Sequence, residues 1–216
     1  MKFQSYLDEQ YKGLSPIYKH TQKTVDELAS LLDKKCKLWF KEVGNYNDAG
    51  NPVYRGVKES IGTFRIKKGT RTKDRVPKLT QKEVFEIFDK AFAEEFGWWV
   101  RSRGIFTGDV TIAYSYGSSY MFFPIGQYKY VWSHRYRKVW HNLTNPGTWD
   151  NMSDDQRELH LDDIEYEAQE AVKYYNDNNI KRAIRMLEKY EAIFQCKSYV
   201  LVDDVLADLA LKQMFG

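Results

Sequence analysis

Residues 119–133, SYMFFPIGQYKYVWS, are the most strand-like run in the chain, and they limit what it can fold into. Aromatic and β-branched side chains dominate the run, and such side chains fit a pleated, half-buried surface. Pro124 and Gly126 interrupt it, so it reads as a hairpin or as two consecutive strands. Tyr128, Tyr130 and Trp132 alternate with Gln127, Lys129 and Val131, which puts the three rings on one face. Core packing is the ordinary use of such a face, and base stacking is the alternative. A second apolar run, EAIFQCKSYVLV (191–202), reads as another strand.

Helical periodicity separates and flanks these runs. Residues 1–45 read as helical, with Ser15-Pro16 as a start signal, because Pro at the first helical position loses no needed donor. Val25, Leu28, Leu31 and Leu32 then recur at helical spacing. The turn cluster NYNDAGNP (45–52) ends this region. Thr80-Gln81-Lys82-Glu83 has capping-box spacing. The helix it opens carries Val84, Phe85, Phe88, Ala91, Phe92 and Phe96 on one side, and Gly97 stops it. Trp98–Thr107 reads as a strand ending in a turn, and 111–116 as a short helix closed by Gly117. An acidic helix spans about 154–175, with Leu161, Ile164, Ala168, Ala171, Val172 and Tyr175 inward. A short helix at 180–187 and a last one at 203–214 follow. Strands separated by helices and irregular loops imply an α+β fold rather than a regular βαβ array.

The chain's 216 residues fit one large domain, or one domain with a helical extension. We assign 1–45 to an extension packed on the core and 46–216 to the α+β domain. A formal charge of +3 argues against a dedicated polyelectrolyte binder. The two cysteines, Cys36 and Cys196, form no CxxC pair, and only 4 His are present, so no metal site is expected. Buried free thiols are the ordinary reading of such cysteines. No run approaches the length of a membrane span. MKFQSYLDEQYKG lacks the apolar core of a signal peptide, so cytoplasmic localisation is expected and the Asn142 and Asn151 sequons carry no meaning.

Three short motifs stand out in order. The first is Tyr54-Arg55-Gly56. The second is Arg101-Ser102-x-Gly104-Ile105-Phe106-Thr107-Gly108, followed by Ala113-x-x-Tyr116-Gly117. The third is Glu191 opening the last strand. Together they resemble the ADP-ribosyltransferase superfamily, whose members place an Arg or His at the end of an early strand, then a Ser/Thr-bearing strand and a short helix, and a Glu on a late strand. The resemblance covers roughly 52–202. It implies split mixed or antiparallel sheets with NAD in the cleft between them and flanking helices. It implies an NAD-dependent transferase in which Arg55 binds an NAD phosphate and Gly56 admits nicotinamide to the backbone. Ser102 or Thr107 takes the hydroxyl role, and Glu191 is the catalytic carboxylate. Tyr54, Phe106 and Arg75 complete the cofactor-binding set, with Tyr116 as the stacking face. Lys189 stands where the arginine-modifying branch has Gln or Glu, which argues against arginine as the acceptor. Being short, rich in aromatics and without a targeting signal, the chain is similar to bacteriophage-encoded members. That origin would make the acceptor a host protein or nucleic acid.

These residue types suit the chemistry. Cleavage of the nicotinamide–ribose bond builds positive charge on the ribose, as glycoside cleavage does. A carboxylate facing that charge stabilises the transition state more than the ground state. A guanidinium grips a pyrophosphate through two parallel hydrogen bonds. Each residue also has an ordinary structural use. That use is a solvated charge for Arg55, a bond to nearby backbone for Ser102, a turn for Thr107-Gly108 and core packing for Tyr116. For Glu191 the structural alternative is an ion pair with Lys189 or Lys197. The basic loop at 67–78 carries Lys67, Lys68, Arg71, Lys73, Arg75 and Lys78, either as a solvated loop or as a contact for phosphates of NAD or nucleic acid. Arg75 is singled out because Pro77 stiffens its segment, which reduces the entropy lost on binding. The competing functions are an inactive binding protein on the same fold and a nucleic-acid-binding module using this loop.

Overall fold

A computed structural model describes residues 22–44, 52–69, 81–135 and 151–216. Among them are eight helices: α1 (Gln22–Lys35), α2 (Lys37–Val43), α3 (Lys82–Phe96), α4 (Val100–Arg103), α5 (Val110–Tyr114), α6 (Asp154–Val172), α7 (Ile180–Arg185) and α8 (Asp204–Phe215). Six strands join into one antiparallel sheet: β1 (Tyr54–Val57), β2 (Phe64–Lys68), β3 (Ile105–Thr107), β4 (Ser118–Ser133), β5 (Tyr175–Asn176) and β6 (Ala192–Val202). The fold is α+β, with a single sheet where two were expected.

The long strands β4 and β6 pair along the middle. β1 and β5 share the outer edge of β4, and β2 and β3 share the outer edge of β6. The expected break at Pro124 does not occur: β4 is one strand of 16 residues. Its backbone explains why. Phe122 N donates to Val53 on the β1 side, so by alternation the backbone of residue 124 also faces that side. The register of β1 against β4 ends at Met121, so no ladder bond there needs the N–H that proline lacks. Gly126 takes a left-handed φ of 67° in the bulge between Ile125 and Tyr128, where a side chain would be strained.

Helices cover both faces of the sheet. One core gathers Val25, Leu28 and Leu32 of α1, Trp39 of α2 and Leu206 of α8 against Phe122, Phe194 and Leu201. Of the expected inward positions of the N-terminal helix, Val25, Leu28 and Leu32 are buried there and Leu31 is partly buried against the same core, while Ser15-Pro16 lies outside the described residues. Tyr128, Tyr130 and Trp132 pack against this same core, Tyr128 and Tyr130 with their centroids 6.2 Å apart. The other core joins Val84, Phe88 and Phe92 of α3 to Ile164, Ala168 and Val172 of α6, over Phe106, Val131 and Ile193.

Helix ends follow local chemistry. Gly97 closes α3 in the left-handed conformation, as its sequence requires, while Thr80 lies outside the described residues. Ser153 and Gln156 form a reciprocal capping box on α6. The stretch 98–107 departs from expectation. Only Ile105–Thr107 is strand, and Val100–Arg103 is a helical turn. A carboxylate from a neighbouring helix holds that turn: Asp89 accepts from Arg101 N (2.7 Å) and Ser102 N (3.2 Å). The acidic helix ends at Val172, and Tyr175 begins β5. The helix expected over 180–187 is Ile180–Arg185.

Candidate functional site

Three sequence-distant segments meet at one point of the sheet. Tyr54 and Gly108 form an isolated bridge, with Tyr54 N to Gly108 O at 2.9 Å and Gly108 N to Tyr54 O at 3.0 Å. Thr107 pairs with Ala192, so Gly108 continues alongside Glu191. The local order is therefore β1, β3, β6, and it brings the Arg55-Gly56, Thr107-Gly108 and Glu191 segments side by side.

Beyond the bridge no further rung joins β1 to β3 among the described residues. Alternation turns the backbone N–H and C=O of Gly56 to the same side as those of Tyr54, toward β3 and into this gap. Arg55 reaches the gap as well, its Nη1 donating to the Phe106 carbonyl at 3.3 Å. The Arg55 guanidinium also lies over the Tyr199 ring, 5.7 Å from its centroid. β1, β3 and β6 thus offer a backbone donor, a backbone acceptor and a fixed cation along one edge.

Two glycines lay a floor for α5. A Cβ on Gly56 would lie 1.9 Å from the Ala113 carbonyl oxygen, and one on Gly108 would lie 2.7 Å from the Ile112 side chain. Only glycine at both positions lets α5 settle on the strands. This corrects one expectation: the space freed by the missing Cβ of Gly56 is filled by α5, so a ligand would meet Gly56 along the strand edge. Asp109 caps α5, accepting from Ile112 N at 2.7 Å. Just past this helix, the Tyr116 side chain starts over Gly56 and its hydroxyl reaches Glu191 Oε1 at 3.0 Å. Tyr116 remains 46% exposed, so its ring is open to a ligand rather than buried in the core.

Glu191 also feels a cation that the sequence reading left without a role. Arg101 projects from α4, and its guanidinium lies 4.9 Å from the centroid of the Phe106 ring. Burial pulls Arg101 down to about 10, and Tyr175, Glu191, Tyr116 and Asp89 act in the opposite direction. It stays charged at neutral pH. The ion pairs considered for Glu191 were with Lys189 or Lys197; its described surroundings are instead Tyr116 and Arg101.

The remaining candidates have structural attachments. Thr107 Oγ1 is buried and donates to the Ala192 carbonyl at 2.9 Å, tying β3 to β6. Ser102 is buried in the turn that Asp89 caps. The Phe106 ring belongs to the core under Arg101, and its carbonyl is the part that faces the gap. Tyr54 feels the charges of Asp204 and Asp208 on α8, and burial first, then those charges, raises its hydroxyl well above the usual range. Arg75 and most of the basic loop lie outside the described residues, while Lys67 and Lys68 belong to β2. Burial pushes Cys36 and Cys196 up to about 12, which keeps both thiols protonated and unreactive. Asp89 carried a readable signal: it is a lone carboxylate beside Phe85, Phe88 and Phe92, and it is 3% exposed.

No helix among the described residues is long and apolar enough to cross a membrane. No protein-family model, curated protein or solved structure matches the chain.

Proposed function

We propose that the chain is an NAD-dependent mono-ADP-ribosyltransferase acting on a protein or nucleic-acid acceptor. One observation carries the reading: Arg55-Gly56, Tyr116 and Glu191 gather at the Tyr54–Gly108 bridge, in the strand order β1, β3, β6. In this reading Arg55 holds the NAD pyrophosphate, and the edge of Gly56 takes the nicotinamide amide. The Tyr116 ring stacks on the nicotinamide. Glu191 binds the ribose 2′-hydroxyl and faces the charge that develops as the C1′–N bond breaks. The bonding electron pair leaves with nicotinamide, which departs neutral. The acceptor nucleophile then bonds to C1′ and gives up its proton.

A second reading, an inactive binding protein on the same fold, is favoured by the engagement of Glu191 with Tyr116 and Arg101. Turnover of tagged NAD separates the two, with a bacterial extract as acceptor and wild type beside Glu191→Gln. Wild-type label transfer or nicotinamide release, reduced on the order of 10²–10³ in the Gln variant, supports the transferase. Equal turnover by both proteins removes Glu191 from the chemistry. No turnover, with no NAD binding by calorimetry, leaves the binding protein.

A further inference from the structure

We propose that Arg101 is a positioning residue: from the face of Phe106 it holds Glu191 ionised and aimed across Gly108 toward Tyr116. The inference concerns the same carboxylate as the transferase reading, and its importance for turnover rests on that reading.

Three placements carry it. Phe106 pairs with Ile193 across β3 and β6, so their side chains share a face. Glu191 lies one residue outside β6 and two before Ile193, and alternation carried one residue past the strand returns it to that face. Arg101 lies over the Phe106 ring on the same face, 4.9 Å from its centroid. The cation and the carboxylate therefore occupy one side of a two-strand step.

Arg101 is also held in place from behind. Asp89 of α3, itself 3% exposed, accepts from Arg101 N at 2.7 Å and fixes the turn from which the side chain leaves. An aromatic face below and a capped backbone behind restrict a long side chain to few rotamers, so little entropy remains to be lost. Three other groups share this charge environment: Tyr116 of the α5 segment, Tyr175 of β5 and Asp89 of α3. Of these, Tyr116 is hydrogen-bonded to the carboxylate. A buried guanidinium near a carboxylate favours its ionised form, and an opposite charge within about 4–6 Å lowers a carboxylate pKa by about 1–3 units.

The test follows the carboxyl 13C resonance of Glu191 through a pH titration in wild type, Arg101→Lys, Arg101→Gln and Arg101→Met, so it needs no turnover. Removal of the charge should raise the Glu191 midpoint by about one unit or more, while Arg101→Lys keeps it near wild type. If wild type turns over NAD, the acid limb of its pH–rate profile should move upward by the same amount in Arg101→Gln. A merely structural arginine would lower melting temperature without moving either midpoint. An unchanged Glu191 midpoint in a folded Gln or Met variant overturns the proposal, as does loss of cooperative melting in both. A shifted midpoint without NAD turnover in wild type retains the Arg101–Glu191 coupling and rejects the transferase reading alone.

Discussion

Gly56→Ala tests the floor on which the candidate site is built. The new Cβ would sit 1.9 Å from the Ala113 carbonyl oxygen and 2.9 Å from Tyr116 Cβ, where real contacts stay above 3.0 Å. Relief requires α5 and β1 to separate by about 1.1 Å, the difference between 3.0 and 1.9 Å. The nearest atoms are backbone, so no side-chain rotation can absorb the clash. Overpacking of this kind costs about 1–3 kcal/mol. For a chain of this size each kcal/mol moves the melting temperature by about 2–4 °C, so a loss of 2 kcal/mol lowers it by about 4–8 °C. The same displacement would stretch the Tyr116–Glu191 hydrogen bond from 3.0 Å to as much as about 4 Å, past any useful length. If Glu191 is the catalytic carboxylate, NAD turnover should fall on the order of 10²-fold, as a 1 Å misplacement does. Urea denaturation and nicotinamide release measure the two effects on one preparation. An Ala variant with unchanged stability and unchanged turnover would refute the packing of α5 on Gly56.

Asp89→Ala removes the shared acceptor of Arg101 N and Ser102 N, and two stranded donors should cost about 2–4 kcal/mol in urea denaturation. Pro124→Ala should lower stability by about 1–3 kcal/mol in the same measurement, because residue 124 is buried and the restored N–H meets no ladder partner. Asp204 gives a pH dependence of known sign. Burial first, then the neighbouring Asp203 and Asp208 charges, raise its carboxyl to about 6, while Tyr54 opposes the shift. The unfolded value is about 3.9, so the folded state binds the proton more tightly and the acid form is the stabilised one. Its favourable contribution is present below about pH 4 and is lost as pH rises through about 6. Thermal melts of Asp204→Asn beside wild type should therefore shift in favour of the variant between pH 5 and pH 7; a constant difference would refute the assignment.

Local signals were legible where local chemistry decides the outcome. Gly97 ends α3 because a left-handed residue is needed there, and Val25, Leu28 and Leu32 mark the inner face of α1 by spacing alone. The turn at Val100–Arg103 was not legible, because its capping carboxylate comes from Asp89 on another helix. Continuity of β4 through Pro124 was hidden for a related reason. Proline breaks a ladder only on the side where a partner waits, and which side that is depends on where β1 ends.

The candidate site divides along the same line. Arg55, Gly56, Tyr116 and Glu191 could be picked out one by one, but their adjacency rests on a single bridge, Tyr54 to Gly108, between segments more than fifty residues apart. Arg101 stands in the second motif, but nothing in the sequence gives it a role there. An arginine after two tryptophans and a valine has no periodicity to distinguish it, and its weight comes from a ring beneath it and a carboxylate two strand positions away. The hydroxyl-bearing residues have ordinary structural attachments. Thr107 occupies a position where chemistry would use an O–H, yet the nearest acceptor is the carbonyl of its own cross-strand partner, Ala192. A buried hydroxyl satisfied in this way gives up a bond to serve a ligand, whereas Tyr116, nearly half exposed, can turn its ring to one without unpacking the core. The groups gathered at this bridge are therefore Arg55, the Tyr116 ring, the Glu191 carboxylate and the backbone edge of Gly56, and the proposed transfer would run through them.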